Sequence, residues 1–289
     1  MDIWIAALVL WLAFLCAVVG LRTGSTDASR ARRIAFKPTE AITAPQLFGL
    51  LLGANVALLE QDDFNQLAST LSRRRIRKLL AQYWNIRSAQ DFQKVIEQRL
   101  CGLGAVSSEE AAAIEAWHAG ARLDTTAYRS LQDVIVFLSA HADIVKPGEI
   151  RDQHCHLVAW DVQQVAYLMR LGFTMGYASR DSVRRVLDRL RETARIHYTS
   201  WKDYSLSTLV GMGLRGVIDL DDIGDWYQIA RTHTVLLAAR RSLLARAGDW
   251  SAPLPSADAG PVSTFSALDV PVTLVEPRPA ILDFVDLGF

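Results

Sequence analysis

"HLVAWDVQQVAYLMRLGF", residues 156–173, is apolar on nearly every face of a helix; Asp161, Gln163, Gln164 and Arg170 are the exceptions. A helix apolar almost all round belongs at the centre of a body, with the other elements packed around it. Gly172 and Gly176 bracket the bend that follows. Next comes "SRDSVRRVLDRLRETARIHY", residues 179–198. Here Val183, Val186, Leu187, Leu190, Ala194 and Tyr198 recur three or four apart and arginines fill most of the remaining face. That spacing predicts an amphipathic helix. "SWKD", residues 200–203, is a capping-box variant that opens another helix, "SWKDYSLSTLVGMG", whose glycines suit a close helix crossing or a turn.

Working outward, the rest of the body also reads as helical. "PQLFGLLLGANVALLEQ", residues 45–61, reads as one buried helix with Pro45 in its first turn. "FNQLASTLSRRRIRKLLAQYWNI", residues 64–86, places Leu67, Leu71, Ile76, Leu79 and Leu80 at helical spacing. "SAQD" (88–91) resembles a capping box with Asp in the Glu position, and "SSEE" (107–110) has the standard form. Further helices are expected in residues 128–145, stopped by Pro147 and Gly148, and in residues 219–248. The latter has acids at its start and arginines at its end, as the helix dipole favours. Strand signals are thin. The expectation is an all-α, compact multi-helix domain over residues 45–249. A linker follows and then an irregular tail over 250–289, which either packs on the body or serves as a short binding motif.

The N-terminus has a different character. Residues 3–21, "IWIAALVLWLAFLCAVVGL", carry no charge, and a bilayer core takes roughly 20 helical residues. Asp2 precedes the run, Arg22, Arg30, Arg32 and Arg33 follow it, and no small-x-small cleavage site appears. A cleaved signal peptide would have the opposite charge order. The reading is a single transmembrane anchor over 1–22 and a polar juxtamembrane linker over 23–44. The arginines place the N-terminus outside and the body in the cytoplasm.

Lysine plus arginine and aspartate plus glutamate both number 31, so the net charge is zero, unlike a dedicated nucleic-acid binder. The run Arg73, Arg74, Arg75, Arg77 and Lys78 reads first as a solvated helix face; its functional alternative is contact with lipid headgroups or nucleic acid. The three cysteines form no disulfide framework or paired metal knuckle. His154, Cys155 and His156 are metal-ligand types, but neighbours in sequence do not readily supply three ligands to one ion, and the stretch reads as a polar turn before the central helix. His118, His141, His197 and His233 are scattered.

Asp161 is the sharper candidate. A carboxylate on a mainly apolar helix needs a partner or a shifted pKa. Its structural partner would be a helix N-terminus, an arginine or the Trp201 indole; its functional use would be as an acid or base with Arg170, Asp203 and His197. Ser200, Ser205 and Ser207 lie near His197 and Asp203 without the G-x-S-x-G of a nucleophile elbow. There is no P-loop, G-x-G-x-x-G or H-E-x-x-H.

Several blocks in order carry a resemblance: Trp84 and Ile86; Ala159, Trp160 and Asp161; Arg170, Gly172, Phe173, Gly176 and Tyr177; Ser200, Trp201 and Asp203; then Gly211. Over residues 45–216 the chain resembles the bacterial family called domain of unknown function 1266. It departs at Gln163 and Gln164, where relatives often carry an arginine, and at "LRG", where they often carry a tryptophan. The resemblance implies a helical fold and no established reaction, with some members in gene neighbourhoods linked to secretion systems, toxins or chaperones. Two expectations follow. One is a protein-interaction module tethered to the bacterial inner membrane through residues 3–21, binding a protein partner such as a toxin or secretion component, with no cofactor, metal or nucleic acid. The other is an enzyme whose polar site gathers Asp161, Arg170, Asp203 and His197.

Overall fold

The computed structural model describes residues 42–140, 145, 148–215, 233, 236, 237, 244 and 250. Among them lie nine α-helices and no strand. In chain order these are α1 (Ala44–Leu51), α2 (Ala54–Leu59), α3 (Arg73–Trp84), α4 (Ala89–Cys101), α5 (Ser108–His118) and α6 (Thr126–Ala140). A 3-10 turn (Asp152–His154) leads to α7 (Val158–Met175), α8 (Arg180–His197) and α9 (Trp201–Leu214). His233, Leu236, Leu237 and Leu244 are further helical positions. The expected membrane span, the linker up to residue 41 and the tail beyond Trp250 lie outside the described residues. Among the described ones, no helix is long and apolar enough to cross a membrane.

The all-round apolar helix is indeed the axis. Fourteen of the eighteen residues of α7 are buried. Helices α1, α2, α3, α4, α8 and α9 all pack on it. The larger core lies between α7 and helices α1–α4 and α8. A second core joins α6 and α9, and Trp160 of α7 belongs to it. Glycines set several crossings, two of them on α7. A Cβ on Gly211 of α9 would come within 2.7 Å of the Trp160 Cβ, and one on Gly172 of α7 would run into the Phe92 ring of α4. Side chains there would force the helices apart.

The helix starts follow the sequence signals, with one chemical difference. Ser107 and Glu110 form the full reciprocal box: the Glu110 N–H donates to Ser107 Oγ (3.2 Å), and the Ser107 N–H donates to Glu110 Oε2 (2.8 Å). Where Asp stands in the Glu position, the serine half forms and the return half changes. Asp91 accepts the Arg87 N–H at 3.0 Å, and Asp203 accepts the Ser200 hydroxyl at 2.7 Å. Aspartate is one methylene shorter than the glutamate the box needs. Helix α7 has Leu157 as its N-cap, which supplies no side-chain acceptor. The Tyr198 hydroxyl, just after α8, accepts the Ala159 N–H at 2.9 Å and caps α7 from outside.

Two expectations are corrected. Residues 45–61 do not form one helix: the chain breaks between α1 and α2 at Leu52–Gly53. Gly53 lies against the α7 backbone, where a Cβ would sit 3.0 Å from the Tyr167 nitrogen, and the Tyr204 hydroxyl donates to the Leu52 carbonyl at 2.8 Å. Residues 64–86 are helical only from Arg73 onward. The stretch before it is a loop whose Leu67 is buried and whose polar groups are tied to α7. Tertiary bonds here outweigh the helical spacing of its leucines.

Candidate functional site

Asp161 and Arg170 hold different loops, while Asp203 and His197 both lie beside histidines of the turn before α7. Asp161 lies in the first turn of α7, where the helix dipole favours an anion. Its Oδ2 accepts the Gly104 N–H at 2.7 Å, fastening the turn after α4. Gly104 has φ +74°, and a Cβ there would meet Val158 at 2.6 Å, so this turn suits only glycine. Asp161 thus has a backbone N–H from a loop as a partner.

Arg170 is fully buried, as is Asp62. Arg170 Nη1 and Asp62 Oδ2 face each other at 3.4 Å. Arg170 Nε donates to the Gln66 carbonyl at 2.8 Å, and Nη2 donates to the carbonyls of Asp63 and Ala68. Asp62 Oδ1 accepts from the Thr70 N–H (2.8 Å) and hydroxyl (2.9 Å). Thr174, one turn on from Arg170, accepts the Ser69 N–H at 2.7 Å. One guanidinium therefore organises the whole loop between α2 and α3. Asp161 and Arg170 are nine residues apart on one helix, which puts them about 13.5 Å apart along the axis and half a turn round. They do not converge.

Asp203 sits at the start of α9. It accepts from the hydroxyls of Thr199 (2.5 Å) and Ser200 (2.7 Å) and lies 3.4 Å from His154 Nε2. Burial pushes its carboxyl up, but those donors outweigh it and hold it below the usual carboxylate range. His154 Nδ1 accepts the Arg151 N–H at 2.9 Å, so Nε2 carries the proton and donates to Asp203. Burial lowers the His154 pKa despite Asp203. At neutral pH the contact is a hydrogen bond from neutral imidazole, not an ion pair.

His197 is exposed, its ring 5.6 Å from His156. His156 stacks on Tyr198, whose hydroxyl bonds its Nδ1 at 3.1 Å. Burial, then the neighbouring His197, His118 and His154, push His156 down to about 4. The Cys155 thiol lies against the Arg151 carbonyl and is pushed up to about 12 by burial and then Asp152, which makes it a poor nucleophile. His154, Cys155 and His156 are tied by these bonds into the turn before α7.

Spacing along the sequence does not disclose the partners around Arg170. Gln163, Tyr167, Arg170 and Thr174 lie four, three and four residues apart and form a polar line along α7. The Gln163 amide and the Tyr167 hydroxyl are buried with no hydrogen-bond partner among the described residues. Glu60 lies beside this line, 3.4 Å from Arg75. Burial raises its carboxyl to about 7, against the pull of Arg75. One signal for the partners was present: an arginine on an apolar helix requires an anion, and residues 60–63, "EQDD", are the acid-rich stretch between apolar segments.

The remaining motif residues are structural in the same sense. Trp201 is buried, with its ring centroid 4.5 Å from Phe48 and 4.8 Å from Trp250. Tyr177 packs its ring 6.0 Å from Phe92, Gly176 closes α7 in a left-handed conformation, and Trp84 ends α3. The family model described as "Protein of unknown function (DUF1266)" matches residues 79–238, more than half of the chain. The chain belongs to the DUF1266 family. The DUF1266 match begins within α3, so α1 and α2 lie upstream of it, yet both pack on its central helix α7. No curated protein and no solved structure matches the chain.

Proposed function

We propose that this DUF1266 protein is a membrane-tethered, protein-binding module of the bacterial inner membrane, held by residues 3–21 with its body on the cytoplasmic side. One observation carries the reading: Asp161, Arg170 and Asp203 each hold a separate piece of scaffold. Asp161 fastens the turn after α4, Arg170 the loop before α3, and Asp203 the turn before α7. A reacting centre needs such groups to converge on one open position. A rigid helical body on an apolar tether fits a partner-binding role, and a toxin or a secretion component is the class of partner proposed.

Crosslinking in intact membranes tests this reading. One discrete adduct of the chain with a second protein is the expected result; the chain alone under every condition would overturn it. A topology reporter at Phe289 tests the tether: a cytoplasmic signal is expected, and a signal from the outer side would overturn the orientation.

A further inference from the structure

The formal charge of zero conceals an uneven distribution. Helix α3 carries Arg73, Arg74, Arg75, Arg77 and Lys78 and no acid. All five are exposed. Arg75 is engaged with Glu60, while Arg73, Arg74, Arg77 and Lys78 make no ion pair among the described residues. Cations in the first turns of a helix oppose its dipole, so this run costs the fold stability rather than adding to it. Helix α5, by contrast, carries Glu109, Glu110 and Glu115 and no lysine or arginine, and it packs on α6, in the other core.

The cationic run has a definite place. The Ser69 N–H bonds Thr174, which ties the chain just before α3 to the C-terminal end of α7. Helix α8 starts at the same end, with the Arg180 guanidinium 5.8 Å from the Phe173 ring centroid. Arg180 and Arg184 line a notch with Leu67, Gln46 and Ile42. Ile42 is where the described body begins, and the linker leading to it from the apolar run contains Arg22, Arg30, Arg32 and Arg33. The start of α3 and the start of α8 thus lie at one end of α7, and two α8 arginines line the notch beside Ile42, the first described residue.

We propose that this cationic end, formed by the first two turns of α3 and the first turns of α8, docks onto anionic lipid headgroups, so that the body lies against the membrane that holds its tether. The proposal rests on the tethered reading above. A basic cluster close to a membrane entry point gains from anionic lipid with each added cation, and salt weakens the attraction. A nucleic-acid groove would call for a cationic surface independent of the tether.

The test uses the full chain with lipid nanodiscs of phosphatidylcholine alone or mixed with phosphatidylglycerol. Arginine-specific modification by phenylglyoxal is followed by mass spectrometry. Arg73, Arg74 and Arg77 are expected to react about tenfold more slowly in the anionic discs, with high salt removing the difference and Arg122 and Arg129 unaffected. In R73Q/R74Q/R77Q/K78Q, which alters only exposed positions, Arg184 should react equally in both discs. Equal reactivity of the parent in both discs, or protection that ignores salt, overturns the proposal. Co-elution with neutral discs reads the tether separately. A chain that fails to co-elute there but binds anionic discs reversibly with salt keeps the headgroup contact and loses the tether. Binding to neither disc removes both.

Discussion

Replacing Arg170 by methionine is the most revealing single change. The guanidinium is fully buried, faces an equally buried Asp62, and donates to the carbonyls of Asp63, Gln66 and Ala68. Methionine keeps much of the volume and removes the charge and every donor. Breaking a buried pair from one side costs about 3–5 kcal/mol, because the surviving ion is left uncompensated. Asp62→Asn keeps the bonds from Thr70 and strands the arginine instead, with a cost in the same range. The double variant should cost less than the sum of the two by about 1–3 kcal/mol. Urea unfolding of the full chain in mild detergent, followed by tryptophan fluorescence, gives these values. Limited proteolysis gives the local one: the loop between α2 and α3 should be cut first in R170M. A variant within about 1 kcal/mol of the parent, or a cycle that adds without coupling, would refute the assignment of Arg170 as the organiser of that loop.

Other consequences concern pH and close approaches. Glu60 has its pKa raised from 4.5 to about 7, so the folded state retains a proton that the unfolded chain releases. Its contribution to stability therefore falls as pH climbs from 4.5 to 7, and Glu60→Gln should be up to about 3 kcal/mol more stable than the parent at pH 8 but not at pH 4; denaturant midpoints across pH read this. His156 and His233 are pushed by burial from 6.5 to about 4 and oppose it: their contribution is complete above 6.5 and declines toward 4. Two such histidines outweigh one glutamate, so the parent should lose stability on acidification below pH 6.5, and H156Q/H233Q should flatten that loss. Gly211→Val drives a side chain into Trp160 and should cost about 1–3 kcal/mol, visible as a lower thermal midpoint. Asp161→Asn retains an acceptor for the Gly104 N–H and should fold, with a loss of about 1 kcal/mol, while Asp161→Leu strands that N–H and should cost more; equal losses would remove the Gly104 bond from the account.

The central helix was legible because its composition is unusual: no surface helix would spend so many apolar residues on every face. The capping serines were legible for a similar reason, since their bonds are local. The serine halves at Ser88, Ser107 and Ser200 form as expected. What the sequence did not disclose depends on contacts across long stretches of chain. The loop before α3 has leucines at helical spacing, yet Arg170, about a hundred residues later, holds it out of a helix. Gly53 reads as a tolerated helix glycine until α7 is laid across it. Asp161 and Arg170 look like one site when read as a motif, and helix periodicity alone sends them to opposite faces. The relation of Asp203 to His154 depends on a turn some fifty residues upstream and could not be read from spacing.

Whether the body serves as a scaffold for a partner is read by capturing the chain from its native cells. The tagged full-length chain is extracted with a gentle detergent, captured, and compared with a chain whose apolar residues 3–21 are interrupted by charge. One protein is expected at near-equal molar amount with the intact chain, and still with Asp161→Asn. A chain that emerges alone, or a partner lost with Asp161→Asn while folding is retained, would contradict the scaffold role and turn attention to Asp161 as a reacting group.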